Sequence, residues 1–416
     1  MSMGEGLWVA GHQIHRLRQG WGPELVAAFT DEMLRAQHVS AATVYGEGAG
    51  DDTWVQYSLE GPERVVSQRL SLLGYTRAAT ISFLNELLHA DRLAWGIPSF
   101  LKAERQRQEV ERTLLESSTA DDWIAAIAAG PDGQSPHVPG GFAWFLRLVD
   151  DTEPGFALQA VLMALPDAEV MFILDADDPD LVGENSELNT MCVDALAQIH
   201  EASAAHAPVI VLTEGSSDVA ILEPALALLY PHLTDLVRFM DYANNAQGGA
   251  GSLVTTIRAF AAAGVANPVI ALFDNDTAAT DALRPLTRDS SLPSSIKVLR
   301  YPPIELASRY PTLGPPTEEA PVGRISAADV NGLAGSIELY LGEDVLRSPD
   351  GALRPVQWSS YSKGSKQYHG EVTDKRDIQA AYQRKLVKAQ GNPELVNEQD
   401  WTGVRAILDV IIHAFD

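Results

Sequence analysis

Apolar and polar positions change rhythm once along this chain, near Ala207. Before that point the pattern is mixed and leans helical. A short strand-like run at Leu7–Ile14 precedes a helix predicted from Pro23 to about Gln37, where the proline suits a first helical turn. From Glu63 to Ser117 apolar residues recur at helical spacing, as in VVSQRLSLLGY and ISFLNELLHADRLAW, with the charges of KAERQRQEVER on opposite positions. Two or three helices are expected there. The Gly- and Pro-rich GPDGQSPHVPGG at 130–141 reads as a loop. An apolar run at Phe142–Leu148, a helix at Phe156–Leu165, a strand in EVMFILD and a helix over Ser186–Ala204 follow it. After Ala207 the pattern becomes regular. Strand-like APVIVLTEG, LVRFMDY, NPVIALFDND and SIKVLRYP alternate with the helical stretches SDVAILEPALALLYPHL, LVTTIRAFAAAG and TAATDALRPL. Short apolar strands alternating with helices predict a parallel sheet wrapped by helices, with functional groups at the carboxyl ends of the strands. The expected fold class is therefore a mostly helical α+β N-terminal domain followed by a Rossmann-like α/β domain. No internal repeat of fixed period interrupts this order.

At 416 residues there is room for two or three domains, each with its own core. No window approaches the roughly 18 uncharged apolar residues of a membrane-spanning helix, and the first twenty residues lack the apolar core of a secretory signal. A soluble, cytoplasmic protein is expected. The single cysteine, Cys192, has no disulfide partner in the chain and cannot make a structural zinc site alone, so it reads as a small buried side chain. A net charge of −26 argues against binding a polyanion over the whole surface. One stretch inverts the balance: residues 346–388 hold nine Lys or Arg against four acids. It reads either as a solvated helix face plus a loop or as a wall that faces phosphate.

Two acidic motifs sit at strand ends. In VIVLTEGSSDVAIL the strand delivers Glu214, Gly215 is read as permitting a tight turn, and Asp218 falls in the first turn of the next helix. In VIALFDNDTAATDAL the strand ends with Asp274 and Asp276 one residue apart, so period-two geometry aims both the same way. Four clustered carboxylates would repel one another without a cation. Magnesium prefers such oxygens and keeps positions open for substrate phosphates.

An acid followed by Gly, Asp at plus four, and DxD after a strand about sixty residues on resembles the Toprim domain of topoisomerases, bacterial primases, recombination proteins and OLD nucleases. The resemblance is strongest at LTEGSSDVAIL and ALFDNDTAA. The stretch FMDYANNAQGGAGSLVTTIRAFAAAGVANPVIALFDNDTA and the QRLSLLGYT segment further resemble HEPN/Toprim-associated proteins. It implies a HEPN/Toprim-associated N-terminal domain over 1–205, a Toprim catalytic domain over 206–345, and a basic extension over 346–416 completing the site. It also implies Glu338, in GSIELYLG, as a further metal ligand and Lys366, in KGSKQYHGE, as a catalytic lysine, with Lys363 a rival. Glu338 as a capping or surface residue and Lys366 as a solvated one are the plainer alternatives.

The function this implies is magnesium- or manganese-dependent hydrolysis of nucleic-acid phosphodiester bonds by an anti-phage or toxin-like effector. Glu214, Asp218, Asp274, Asp276 and Glu338 would hold one or two ions about 4 Å apart. Lys366 would add a preorganised charge of a kind worth roughly 3 to 4 kcal/mol. Expected partners are DNA or RNA, including transfer RNA, a separate defence protein, and further copies of the chain. None of the ten histidines has an Arg at the spacing of a HEPN ribonuclease motif, and no GxxxxGK[ST] motif is present. The N-terminal part is therefore expected to be structural, oligomeric or regulatory. His369 reads as a surface histidine, QGGAGS at 247–252 as a turn, and DADDPD at 175–180 as a solvated loop. A non-catalytic assembly or sensor protein is the alternative function; a primase-type nucleotidyl transferase is disfavoured by the lack of a zinc module.

Overall fold

Where a strand pairs depends on residues far away in the chain, and the N-terminal unit turns on this. A computed structural model describes residues 6–15, 22–40, 53–94, 118–129, 154–174, 188–202, 206–240, 248–287, 292–314 and 324–416. Expectations for 95–117, for the 130–141 loop, for Phe142–Leu148 and for DADDPD lie outside the described residues. The contacts divide the chain into two compact units, Met1–Ala207 with Phe415–Asp416, and Pro208–Ala414.

In the first unit, β1 (Gly6–Val9), β2 (His12–His15), β3 (Leu34–Ser40), β4 (Thr53–Pro62) and β5 (Glu169–Ile173) form an antiparallel sheet in the order β2-β1-β5-β4-β3. Ala10 and Gly11 both take positive φ, the two-residue turn whose twist matches a hairpin, so Leu7–Ile14 is two strands and not one. The helix expected from Pro23 to Gln37 stops at Val26, and Leu34–Ser40 is instead a strand along residues 53–59 of β4, pairing Leu34 with Leu59 and Ser40 with Thr53. Its polar, exposed residues give no local signal that outweighs the proline-started helix; the ladder with β4 decides. Helices Glu63–Leu72, Arg77–Ala94, Ala120–Ala128 and Pro154–Ala164 bring Val66, Leu70, Leu84, Ile127, Leu158 and Val161 out of solvent, along with Leu59 and Phe172 of the sheet. This unit is α+β.

The second unit carries the α/β pattern. Strands β6 (Val209–Leu212), β7 (Val237–Phe239), β8 (Val269–Phe273) and, beyond the two-residue β9 (Asn275–Asp276), β10 (Ile296–Arg300) include a four-stranded parallel sheet ordered β10-β8-β6-β7. Helices Ser216–Leu229, Ala250–Ala263 and Thr277–Thr287 connect them. Every residue of β8 is at zero exposure, as expected of a central strand covered on both faces. Leu253, Val254, Ile257, Ala279 and Leu286 pack against it.

Downstream, β11 (Tyr310–Leu313), β12 (Ile325–Ala328), β14 (Val356–Ser362) and β15 (Gln367–Val372) form a second sheet ordered β12-β11-β14-β15, while β13 (Ala334–Gly335) pairs with β9. The basic stretch thus contains a helix, Lys375–Gly391, as one of its two readings has it, but the residues before that helix include a β14–β15 hairpin where a loop is expected, and the stretch belongs to the same unit as the parallel sheet. Among the described residues no helix is long and apolar enough to cross a membrane.

Candidate functional site

Glu214 follows β6, and its environment comes from the neighbouring strand end and a glycine turn. Its Oε1 accepts the Asp274 N–H at 3.0 Å, and its own carbonyl accepts the Gly249 N–H at 2.6 Å. Gly249 holds a φ of 99°, and a Cβ on Gly248 would come 3.0 Å from the Glu214 carbonyl oxygen. The QGGAGS turn therefore needs its glycines to seat Glu214. Gly215 does not carry the role expected of it: its backbone is extended, at φ −166°, and an added Cβ would meet only ordinary van der Waals contacts, the nearest at 3.7 Å.

Asp218 sits in the first turn of helix Ser216–Leu229. Its Oδ2 accepts the Gly215 N–H at 3.0 Å and its Oδ1 the Tyr301 hydroxyl at 2.7 Å. Tyr301 lies just past β10, its N–H continuing the sheet onto the Phe273 carbonyl. Asp274 stands at the end of β8 with Oδ1 removed from solvent and without a hydrogen-bond partner. Asp276 caps the next helix, its Oδ1 accepting the Ala279 N–H at 2.7 Å, and its Oδ2 faces His369 Nδ1 at 3.7 Å. Glu338, in the 3-10 turn Ile337–Tyr340, is buried, at 4% exposure. Its two oxygens accept Ser336 Oγ and Gln379 Nε2, each at 2.8 Å. The structure thus brings Glu338 to the cluster as a hydrogen-bonded interior acid.

Burial and mutual repulsion set the protonation of this group. Burial first, then the charges of Asp276 and Asp218, pushes Glu214 up to about 7 despite the Asp274 N–H that stabilises its anion. Asp218 rises to about 6, through burial and the Glu338 charge, with the Tyr301 hydroxyl opposing. Asp274 is raised well above the ordinary carboxylate range by burial, then by Asp218, Glu214, Asp276 and Glu338 in turn. Five acids share one field.

Lys366 is not brought to them. It occupies the β14–β15 turn at φ 57°, exposed, and no hydrogen bond or ion pair joins it to an acid among the described residues. The cation at the cluster is Lys375, at the start of helix Lys375–Gly391, with Nζ 3.8 Å from Glu338 and 3.3 Å from Glu371. Although burial alone would lower it, Glu338 and Glu371 raise its pKa, so it stays charged. His369, expected at the surface, lies between Asp276 and Glu371, whose Oε1 is 3.5 Å from Nε2. Tyr301, Lys375 and His369 were the residues that sequence reasoning missed or misplaced. Only the +5 balance of the basic stretch pointed toward Lys375.

A hard divalent cation suits the donors chemically: all are carboxylate oxygens, each carboxylate keeps lone pairs beyond the bonds it already makes, and Asp274 Oδ1 has no partner. The side chains rest in their own hydrogen bonds, however, and no three His, Cys, Asp or Glu among the described residues converge on one point as a ready-made coordination sphere. No family model, no curated protein and no solved structure matches this chain.

Proposed function

We propose that the second unit is a Toprim-type domain whose acid cluster takes magnesium or manganese and hydrolyses nucleic-acid phosphodiester bonds, in an effector of the HEPN/Toprim-associated kind. The observation that carries this reading is the partnerless, buried Asp274 Oδ1 at a parallel-strand end, ringed by Glu214, Asp218, Asp276 and Glu338. A structural acid in that position would have a hydrogen-bond donor. A cation bound there would neutralise phosphate charge and acidify an attacking water.

The chain's own residues supply the rest. Glu214, pushed up to about 7 in the metal-free protein, exchanges a proton near neutral pH and stands beside Asp274, where its ionised form would accept one from the nucleophile. Tyr301 fixes the rotamer of Asp218 from the far side. Lys375 takes the place anticipated for Lys366, as a fixed positive charge at the Glu338 edge. His369 of the β14–β15 hairpin faces the acid rim, with Nδ1 3.7 Å from Asp276 Oδ2.

The test is incubation of supercoiled DNA, single-stranded DNA and total RNA with the purified chain in magnesium or manganese, beside Asp274→Ala and Glu214→Ala, with calorimetric titration of manganese in parallel. Metal-dependent cutting and manganese binding, both lost in the variants, support the reading. If the wild type binds no manganese and cuts nothing, the alternative of a non-catalytic assembly or sensor protein takes over.

A further inference from the structure

The β14–β15 hairpin presents an aromatic face in a protein of net charge −26. Tyr361 and Tyr368 are directly paired across the strands and are about half exposed, at 51% and 49%. Their rings meet edge to face at 5.2 Å between centroids. Trp358 continues the row, 6.3 Å from Tyr368. It keeps to that face because the pairing shifts register between Trp358 and Ser360. Opposite Trp358 stands Gly370, where a Cβ would come 2.8 Å from the indole, so the glycine leaves room for the ring. Folding proteins rarely leave large rings paired with each other and open to water without a use.

The hairpin is also held in place. The Thr277 hydroxyl donates to the Tyr368 carbonyl at 2.7 Å, one residue past Asp276. Ser362 donates to Asp281 of the same helix, and its Oγ accepts the Gly364 and Ser365 N–H groups, each at 3.2 Å. His369, on the face opposite Tyr368, looks at Asp276. The tip carries Lys363 and Lys366, both exposed and neither in an ion pair among the described residues. Open rings on a clamped ribbon, with two unneutralised lysines at its end, match bases that stack and a backbone that is anionic. A paired duplex has no free base faces to stack, so the rings favour unpaired bases.

We propose that the Trp358, Tyr361 and Tyr368 face with Lys363 and Lys366 is a stacking platform for unpaired nucleic acid, delivering single-stranded substrate to the acid cluster. The proposal rests on the nuclease reading for its purpose but not for its test. Binding of a fluorescent thirty-nucleotide oligothymidylate and of a thirty-base-pair duplex is measured by anisotropy with the full chain in excess EDTA, so that no cleavage is required.

The expected result is tighter binding of the single strand. Tyr361→Ala and Tyr368→Ala should each weaken it about 5- to 100-fold, as loss of one stacked base does. Tyr361→Phe and Tyr368→Phe should retain it, which separates stacking from loss of fold or of a hydroxyl. The Lys363→Gln, Lys366→Gln double variant should reduce the slope of log affinity against log salt by about 1.4. Equal or better binding of duplex, or unchanged binding in both alanine variants, overturns the platform. Failures separate cleanly: single-strand binding that depends on the tyrosines but never leads to metal-dependent cutting sinks the nuclease reading alone, whereas cutting that ignores the tyrosines sinks the platform alone.

Discussion

Asp274 is the side chain on which the proposed chemistry of the second unit turns. Asp274→Asn removes a carboxyl that folding must either protonate or hold charged among four other acids, so the metal-free protein should become more stable, with a melting temperature several degrees higher, since ~1 kcal/mol moves a domain of this size by about 2–4 °C. Thermal unfolding in EDTA checks this, and manganese should no longer raise the melting temperature of the variant. Tyr301→Phe should act the other way. It leaves a buried Asp218 oxygen without its donor and should cost about 1–3 kcal/mol by chemical denaturation. Strand-end acids such as Glu214 and Asp274 are legible in sequence because a short apolar run followed by a carboxylate fixes their position locally. Tyr301 is not, because its value lies in reaching Asp218, 83 residues earlier. Lys375 and Lys366 look alike in a basic stretch, and only the path of the hairpin decides which one meets Glu338.

Among the elements, the regular alternation after Ala207 was readable because each strand of a covered parallel sheet is a short, fully apolar run, as Val269–Phe273 is. The β3–β4 ladder was not, because neither strand buries enough of its own residues to show a period. The 3-10 turn that carries Glu338 depends on its backing. Gly403, in helix Thr402–Ile412, lies so close to it that a Cβ would sit 2.5 Å from the Tyr340 carbonyl oxygen. Gly403→Ala should therefore push the helix from the turn, destabilising the protein by about 1–3 kcal/mol and lowering metal affinity together with it. Denaturant unfolding and manganese titration of the same preparation would show both losses; a loss of stability with intact affinity would mean that Glu338 holds its place without the helix.

For the molecule, the shared field of the acids makes stability depend on pH. Glu214, about 7, and Asp218, about 6, lie above the ordinary values of 4.5 and 3.8 that apply on unfolding, so the folded chain holds more protons than the unfolded one. Stability from these groups is full below about pH 4 and is lost as pH rises through 7. Each pKa unit corresponds to about 1.4 kcal/mol, which makes the loss several kcal/mol in all. In EDTA the melting temperature should fall between pH 5 and pH 8, and saturating magnesium should reverse the fall; a flat profile in EDTA would mean that the acids do not repel one another in solution. The change of rhythm near Ala207 falls beside the division of the contacts at Ala207 and Pro208, because a parallel sheet closes its own core. The site inside that unit is assembled from both ends of it. About 160 residues of chain separate Glu214 from Lys375, and a ribosome adding 5–20 residues per second needs roughly 10–30 s to supply them. Glu214, Asp218, Asp274, Asp276 and Glu338 emerge one after another across that interval, and the hairpin and Lys375 emerge after all of them, so the cluster is complete in carboxylates before it gains the cation that faces Glu338.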